Sequence, residues 1–118
     1  MSDGSTPVFL QGPFDFEGNG LAKPSLIDES LRYTVPAGST TQPVYFRGGN
    51  STSDMITVVL FRDGKPMRYF PIAANGATHV ALRVVEDLLA DTVLELFVAA
   101  PSGSSGTVIV DLGLVEVQ

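Results

Sequence analysis

The sequence predicts an all-β protein: a single antiparallel β-sandwich, jelly-roll-like, preceded by an extended N-terminal arm. Three observations carry that expectation. Seven or eight short β-prone runs recur at spacings of roughly 8–14 residues, with turn residues between most neighbours. The stretch from Met55 to Ile72 reads MITVVLF, RDGKP, MRYFPI, two apolar runs around a short polar turn, which is a strong local signal for a hairpin. Finally, 12 Gly and 8 Pro with only 17% charged residues suit many strands joined by turns, and no helical period lasts beyond two turns.

Along the chain, residues 1–30 read as the arm and 31–118 as the sandwich. Pro7, Pro13, Pro24 and four glycines interrupt any long helix or strand there, yet Val8, Phe9, Leu10, Phe14, Phe16 and Leu21 are too apolar for a disordered tail. The arm is expected to lie along the sandwich or along a neighbouring subunit, with room for a short edge strand near Val8–Leu10. Leu31–Val35 alternates as a half-buried strand and ends at Pro36-Ala-Gly38. A strand follows over Thr41–Arg47; Pro43 lacks an amide donor, so this strand should be at an edge or begin there. Gly48–Asp54 reads as a flexible loop.

The central hairpin has only Thr57 as a polar residue in its first run, so both faces should be covered. A turn at Ala73–Gly76 leads to a strand over Thr78–Val85, with Val80, Leu82 and Val84 on one face and His79, Ala81 and Arg83 on the other. Glu86–Asp91 reads as one helical turn or a tight loop. Thr92–Ala99 alternates again, the Gly/Ser stretch from Pro101 to Gly106 is a loop, and Thr107–Val117 is a long final strand. Val58, Leu60, Leu82, Leu96 and Ile109 are the expected core.

Composition limits function. A chain of 118 residues forms one domain with a real core, being 44% apolar. With no cysteine, disulfides, thiolate metal sites and thiol catalysis are excluded. The N-terminus has no basic start followed by a long apolar run, and no stretch approaches the roughly 18 apolar residues of a membrane helix. The expected setting is the cytoplasm, a mature chain given an initiator Met being the alternative, with no membrane partner.

The net charge of −6 is unevenly spread: residues 1–30 carry −4, residues 31–83 carry +4 and residues 84–118 carry −6. Phosphate binding needs a net basic surface, so nucleic acid is not an expected partner. Either distant segments mix in space and cancel, or a bipolar surface favours head-to-tail contacts.

Three stretches carry a family resemblance: Ser39–Phe46 after VPAG, Asp91–Phe97, and Gly106–Val115 with Asp111 inside an apolar run. Their order resembles that of galactose-binding-like jelly rolls, a fold used by many carbohydrate-binding modules. The resemblance implies the sandwich over about 31–117 and sugar binding as an expectation. The chain departs from that pattern in having no Trp and no clear acidic cluster for a calcium ion.

No catalytic motif stands out. His79 is the sole histidine and reads as a surface residue. There is no G-x-S-x-G elbow and no phosphate-binding loop. Glu95 and Asp111 would neighbour each other if their strands pair, which is the arrangement a carboxylate pair would need. Tyr45, Arg47, Arg68 and Tyr69 form the most promising group, because planar aromatic and guanidinium groups give large contact area for few lost torsions. With Phe14 and Phe16 of the arm they are the candidate partner- or ligand-binding residues. The leading expectation is a non-catalytic interaction or assembly module that self-associates or docks on a protein, with no cofactor. Carbohydrate or small-ligand binding is second, an enzyme third.

Overall fold

The computed structural model describes residues 5–84 and 86–118. Nine strands are present among them: β1 (Ser5–Glu17), β2 (Ser25–Leu26), β3 (Arg32–Thr34), β4 (Thr40–Asn50), β5 (Ile56–Arg62), β6 (Lys65–Ile72), β7 (Ala77–Ala81), β8 (Val93–Ala99) and β9 (Ser105–Val117). They form two antiparallel sheets. The first has the order β1-β9-β4-β7; the second has β2-β8-β5-β6, with β3 also pairing β8.

The core lies between the sheets. Val58, Leu60 and Phe70 of the hairpin, Leu94, Leu96 and Val98 of β8, and Val108, Val110, Leu112 and Leu114 of β9 are buried there. Phe46 of the first sheet stacks on Phe70 of the second with ring centroids 4.3 Å apart and planes 9° off parallel. Each such side chain, fully buried, contributes about 1.5–3 kcal/mol relative to remaining exposed.

The hairpin forms as its sequence requires. Arg62 pairs with Lys65, leaving Asp63-Gly64 as a two-residue loop with φ of 50° and 80°. Two positive φ values match the right-handed twist of the flanking strands, and Gly64 adopts one without steric cost.

Several expectations need correction. The arm holds a continuous strand, β1, paired with β9 over thirteen residues. Its prolines do not interrupt it, because β1 is an edge strand that pairs only with β9 among the described strands. Val8, Leu10, Phe14 and Phe16 turn inward, and Leu10 and Phe16 join the same core as Leu31. β4 lies inside its sheet, not at an edge. Pro43 is accommodated where the register with β9 shifts, before pairing with β7 begins at Tyr45. β4 also continues through Gly48 to Asn50, which the sequence reading assigned to a loop.

The strand expected over Thr78–Val85 ends at Ala81. Leu82 is only partly buried, Val84 is exposed, and residue 85 lies outside the described residues. The stretch after it is a loop, tied to β4 by the Leu82 amide on Val44 and by a bridge between Leu88 and Thr41. Ile109 is not core: it is 55% exposed on the outer face of β9.

The uneven charge is mixed in space. Arg32–Glu95, Arg47–Asp111, Arg62–Glu86 and Arg68–Glu86 each join a base from the middle of the chain to an acid from its end.

Candidate functional site

The outer face of the first sheet gathers the chain's most organised set of polar side chains. Register places Gln11, Asp111, Arg47 and His79 side by side across β1, β9, β4 and β7. On one side of this row lie Phe9, Gly113, Tyr45 and Ala81, and on the other Pro13, Ile109, Gly49 and Ala77. All occupy outward positions because strand residues alternate between faces and the intervening residues of β9 fill the core.

Arg47 Nη2 donates to Asp111 Oδ2 at 3.1 Å, and the Tyr45 hydroxyl donates to Asp111 Oδ1 at 3.0 Å. Tyr45 can lie across β9 because residue 113 is glycine; a Cβ there would run into the Tyr45 ring. The Arg47 guanidinium sits 5.2 Å from the centre of that ring, and His79 meets its edge at 6.2 Å with the planes 89° apart. The hydroxyl of Tyr45, then the charge of Asp111, raise the Arg47 pKa further. An exposed ion pair of this kind is screened by solvent and adds little to stability. Its consequence is geometric: Arg47 and Asp111 are held flat on an open surface with their remaining polar groups toward solvent.

Beside this pair the surface dips. Arg47, Gly48, Gly49, Ala77, Thr78, His79, Ile109 and Asp111 line it. A second shallow dip lies across Ile109, over Gln11, Gly12 and Pro13. The first is lined mainly by apolar surface, with Arg47, His79 and Asp111 supplying its polar groups. It can seat a small amphipathic ring, with donors at Arg47 and His79 and an acceptor at Asp111.

Of the residues singled out from sequence, Tyr45 and Arg47 meet here. Arg68 and Tyr69 belong to the second sheet. Arg68 faces the margin between the sheets and pairs with Glu86, while Tyr69 is 62% exposed on the outer side. Phe14 is half-buried against the core, and Phe16 is only 8% exposed within it, so Phe16 has no free surface to offer. Glu95 and Asp111 do not neighbour each other: β8 and β9 are in different sheets, and each acid pairs with its own arginine. Sequence reading missed Gln11, Gly49 and Ile109 as site residues and took His79 as ordinary surface. The available signal was the alternation of Ile109, Asp111 and Gly113, in which one charged and one glycine position mark the outward side.

No protein-family model matches the chain, and no curated protein matches it by sequence. Solved structures do match. One is the CBM36-1 domain of a multidomain xylanase from the hindgut metagenome of Trinervitermes trinervoides, with 16% identity and a TM-score of 0.57 over 93% of this chain and 96% of that one. Another is a family 35 carbohydrate binding module from Clostridium thermocellum, with 14% identity and a TM-score of 0.50 over 92% and 97%. A third is the chain of infectious bursal virus derived T=1 particles, with 12% identity and a TM-score of 0.55. It covers 99% of this chain but only 32% of the viral one. At such identities what is shared is the fold, and the chain is a jelly-roll β-sandwich of the kind found in carbohydrate-binding modules.

Proposed function

We propose that the chain is a non-catalytic binding module that takes a carbohydrate on the outer face of its first sheet, with a sugar ring seated over Gly49. The observation that carries this reading is the dip itself: a mainly apolar lining beside an Arg47–Asp111 pair already joined by a hydrogen bond. A pyranose has an apolar C–H face and an edge of hydroxyls. The face would cover Ala77 and the flank of Ile109, and the hydroxyls would meet Asp111, Arg47 and His79. The fold shared with two carbohydrate-binding modules supports the reading. The inward turn of Val8, Leu10, Phe14 and Phe16 moves it ahead of assembly through the arm, since those side chains are spent on the chain's own core.

Affinity electrophoresis through gels containing soluble xylan, β-glucan, galactan or mannan tests it. Migration should be retarded in at least one gel, and Gly49→Gln should abolish the retardation. Position 49 has ordinary backbone and a Cβ there would only touch Ile109 at 3.7 Å, so the variant fills the dip without disturbing the fold. Retardation unchanged by Gly49→Gln, or none in any gel, contradicts the proposal.

A further inference from the structure

We infer that two copies of this chain pair antiparallel through the outer edge of β7, joining their first sheets into one. Three of the four sheet edges are poorly suited to such pairing. β1 carries Pro7 and Pro13, and β6 carries Pro66 and Pro71, and none of these residues has an amide for a further strand. The remaining edge of the second sheet is broken into β2 and β3, two and three residues long. β7, Ala-Thr-His-Val-Ala, has no proline and no Lys, Arg, Asp or Glu, and only β4 pairs with it among the described residues.

The occupant is a second copy because β7 is self-complementary. Leu82 donates its amide to Val44 at 3.0 Å, so alternate residues Val80 and Thr78 also turn toward β4, and Ala77, His79 and Ala81 turn outward. Centred on His79, antiparallel pairing sets Ala77 against the partner's Ala81 and His79 against the partner's His79. Every outward amide and carbonyl then meets its counterpart, with no like-charged carboxylates or ammonium groups opposed. Asp111, the nearest acid in the row, is two strands away, roughly 10 Å. The two-fold axis is perpendicular to the sheet, so both Gly49 dips open to the same side. The dimer would present two sites to one polymer, raising its avidity.

The test is mass by light scattering and sedimentation at tens to hundreds of micromolar, together with a thiol crosslink. The wild-type chain should show twice its 12.5 kDa mass. Ala81→Pro removes an outward amide without touching the β4 ladder and should give a monomer. His79→Lys, which opposes two ammonium groups at the axis, should do the same if the proline variant fails to fold. The chain has no cysteine, so His79→Cys introduces a single thiol. Its Cα lies roughly 5.5 Å from its symmetry mate in such a pair, within the roughly 4.4–6.8 Å span of a disulfide. It should crosslink on mild oxidation much faster than Thr34→Cys. A monomer throughout the range overturns the inference, as does a dimer that survives the edge variants or crosslinks no faster at 79 than at 34. The mass and crosslink readouts do not depend on sugar, and sugar binding is tested separately by Gly49→Gln.

Discussion

Asn50 ties three backbone segments together with one side chain. Its Oδ1 accepts from the amide and hydroxyl of Thr52 at 2.9 and 2.8 Å, and its Nδ2 donates to the carbonyls of Asp54 and Ala73 at 2.8 and 3.1 Å. The residue is buried, so truncation removes these four hydrogen bonds and leaves the Thr52 amide without its acceptor. Asn50→Ala should cost about 1–3 kcal/mol in urea unfolding, the scale of an unsatisfied buried polar group; a loss under about 0.5 kcal/mol, the scale of ordinary surface changes, would show that the loop holds without it. Tyr33 makes a pH-dependent contribution. Its hydroxyl donates to Glu116 at 2.6 Å, and burial first, then that bond, push its pKa up to about 12. A raised pKa favours the folded state while the phenol is neutral. The contribution is therefore complete below the ordinary value of 10.0 and is lost as pH rises from there to about 12. Tyr33→Phe should flatten the fall in urea midpoint across that window, and an unchanged slope would remove Tyr33 as its cause. At this scale the sequence was only partly legible. In Val108-Ile-Val-Asp-Leu-Gly the apolar residues are equally fit for either face, and only Asp111 and Gly113 reveal that Ile109 points outward.

Strands declare themselves when turn and pattern agree, as in the β5–β6 hairpin. Gly64→Val puts a β-branched residue at φ 80° and should destabilise by about 1–3 kcal/mol, while Lys65→Ala, on an exposed strand end, should change little. Equal small effects in thermal melts would argue against the two-residue turn. β8 and β9 were similarly legible from their alternation. β1 was not, because proline and glycine count against a strand in isolation, whereas an edge strand with one partner tolerates both. The same local rule placed Pro43 at an edge or at the start of its strand, when a register shift lets it sit inside a strand that begins at Thr40. In both cases the deciding fact is which strands flank the residue, and that is set by contacts distant in sequence.

For the whole molecule, the sandwich brings a basic middle and an acidic end into register, and the four arginine–carboxylate pairs follow. Three of these pairs brace edges and loops. The fourth, Arg47–Asp111, lies at the centre of an open face beside a dip, flanked by Tyr45, His79 and Ile109. Fold class was legible because it depends on pattern. The site was not, because it exists only where four strands from opposite ends of the sequence align. Amide NMR spectra of the labelled protein, titrated with the oligosaccharide of whichever polysaccharide retards it, test the assignment most directly. Shifts should centre on Gly49, Ala77, His79, Ile109 and Asp111, leaving the outer face of the second sheet around Tyr69 and Phe97 unmoved. Shifts centred on that second face, or on the loops at either end of the sandwich, would contradict the account.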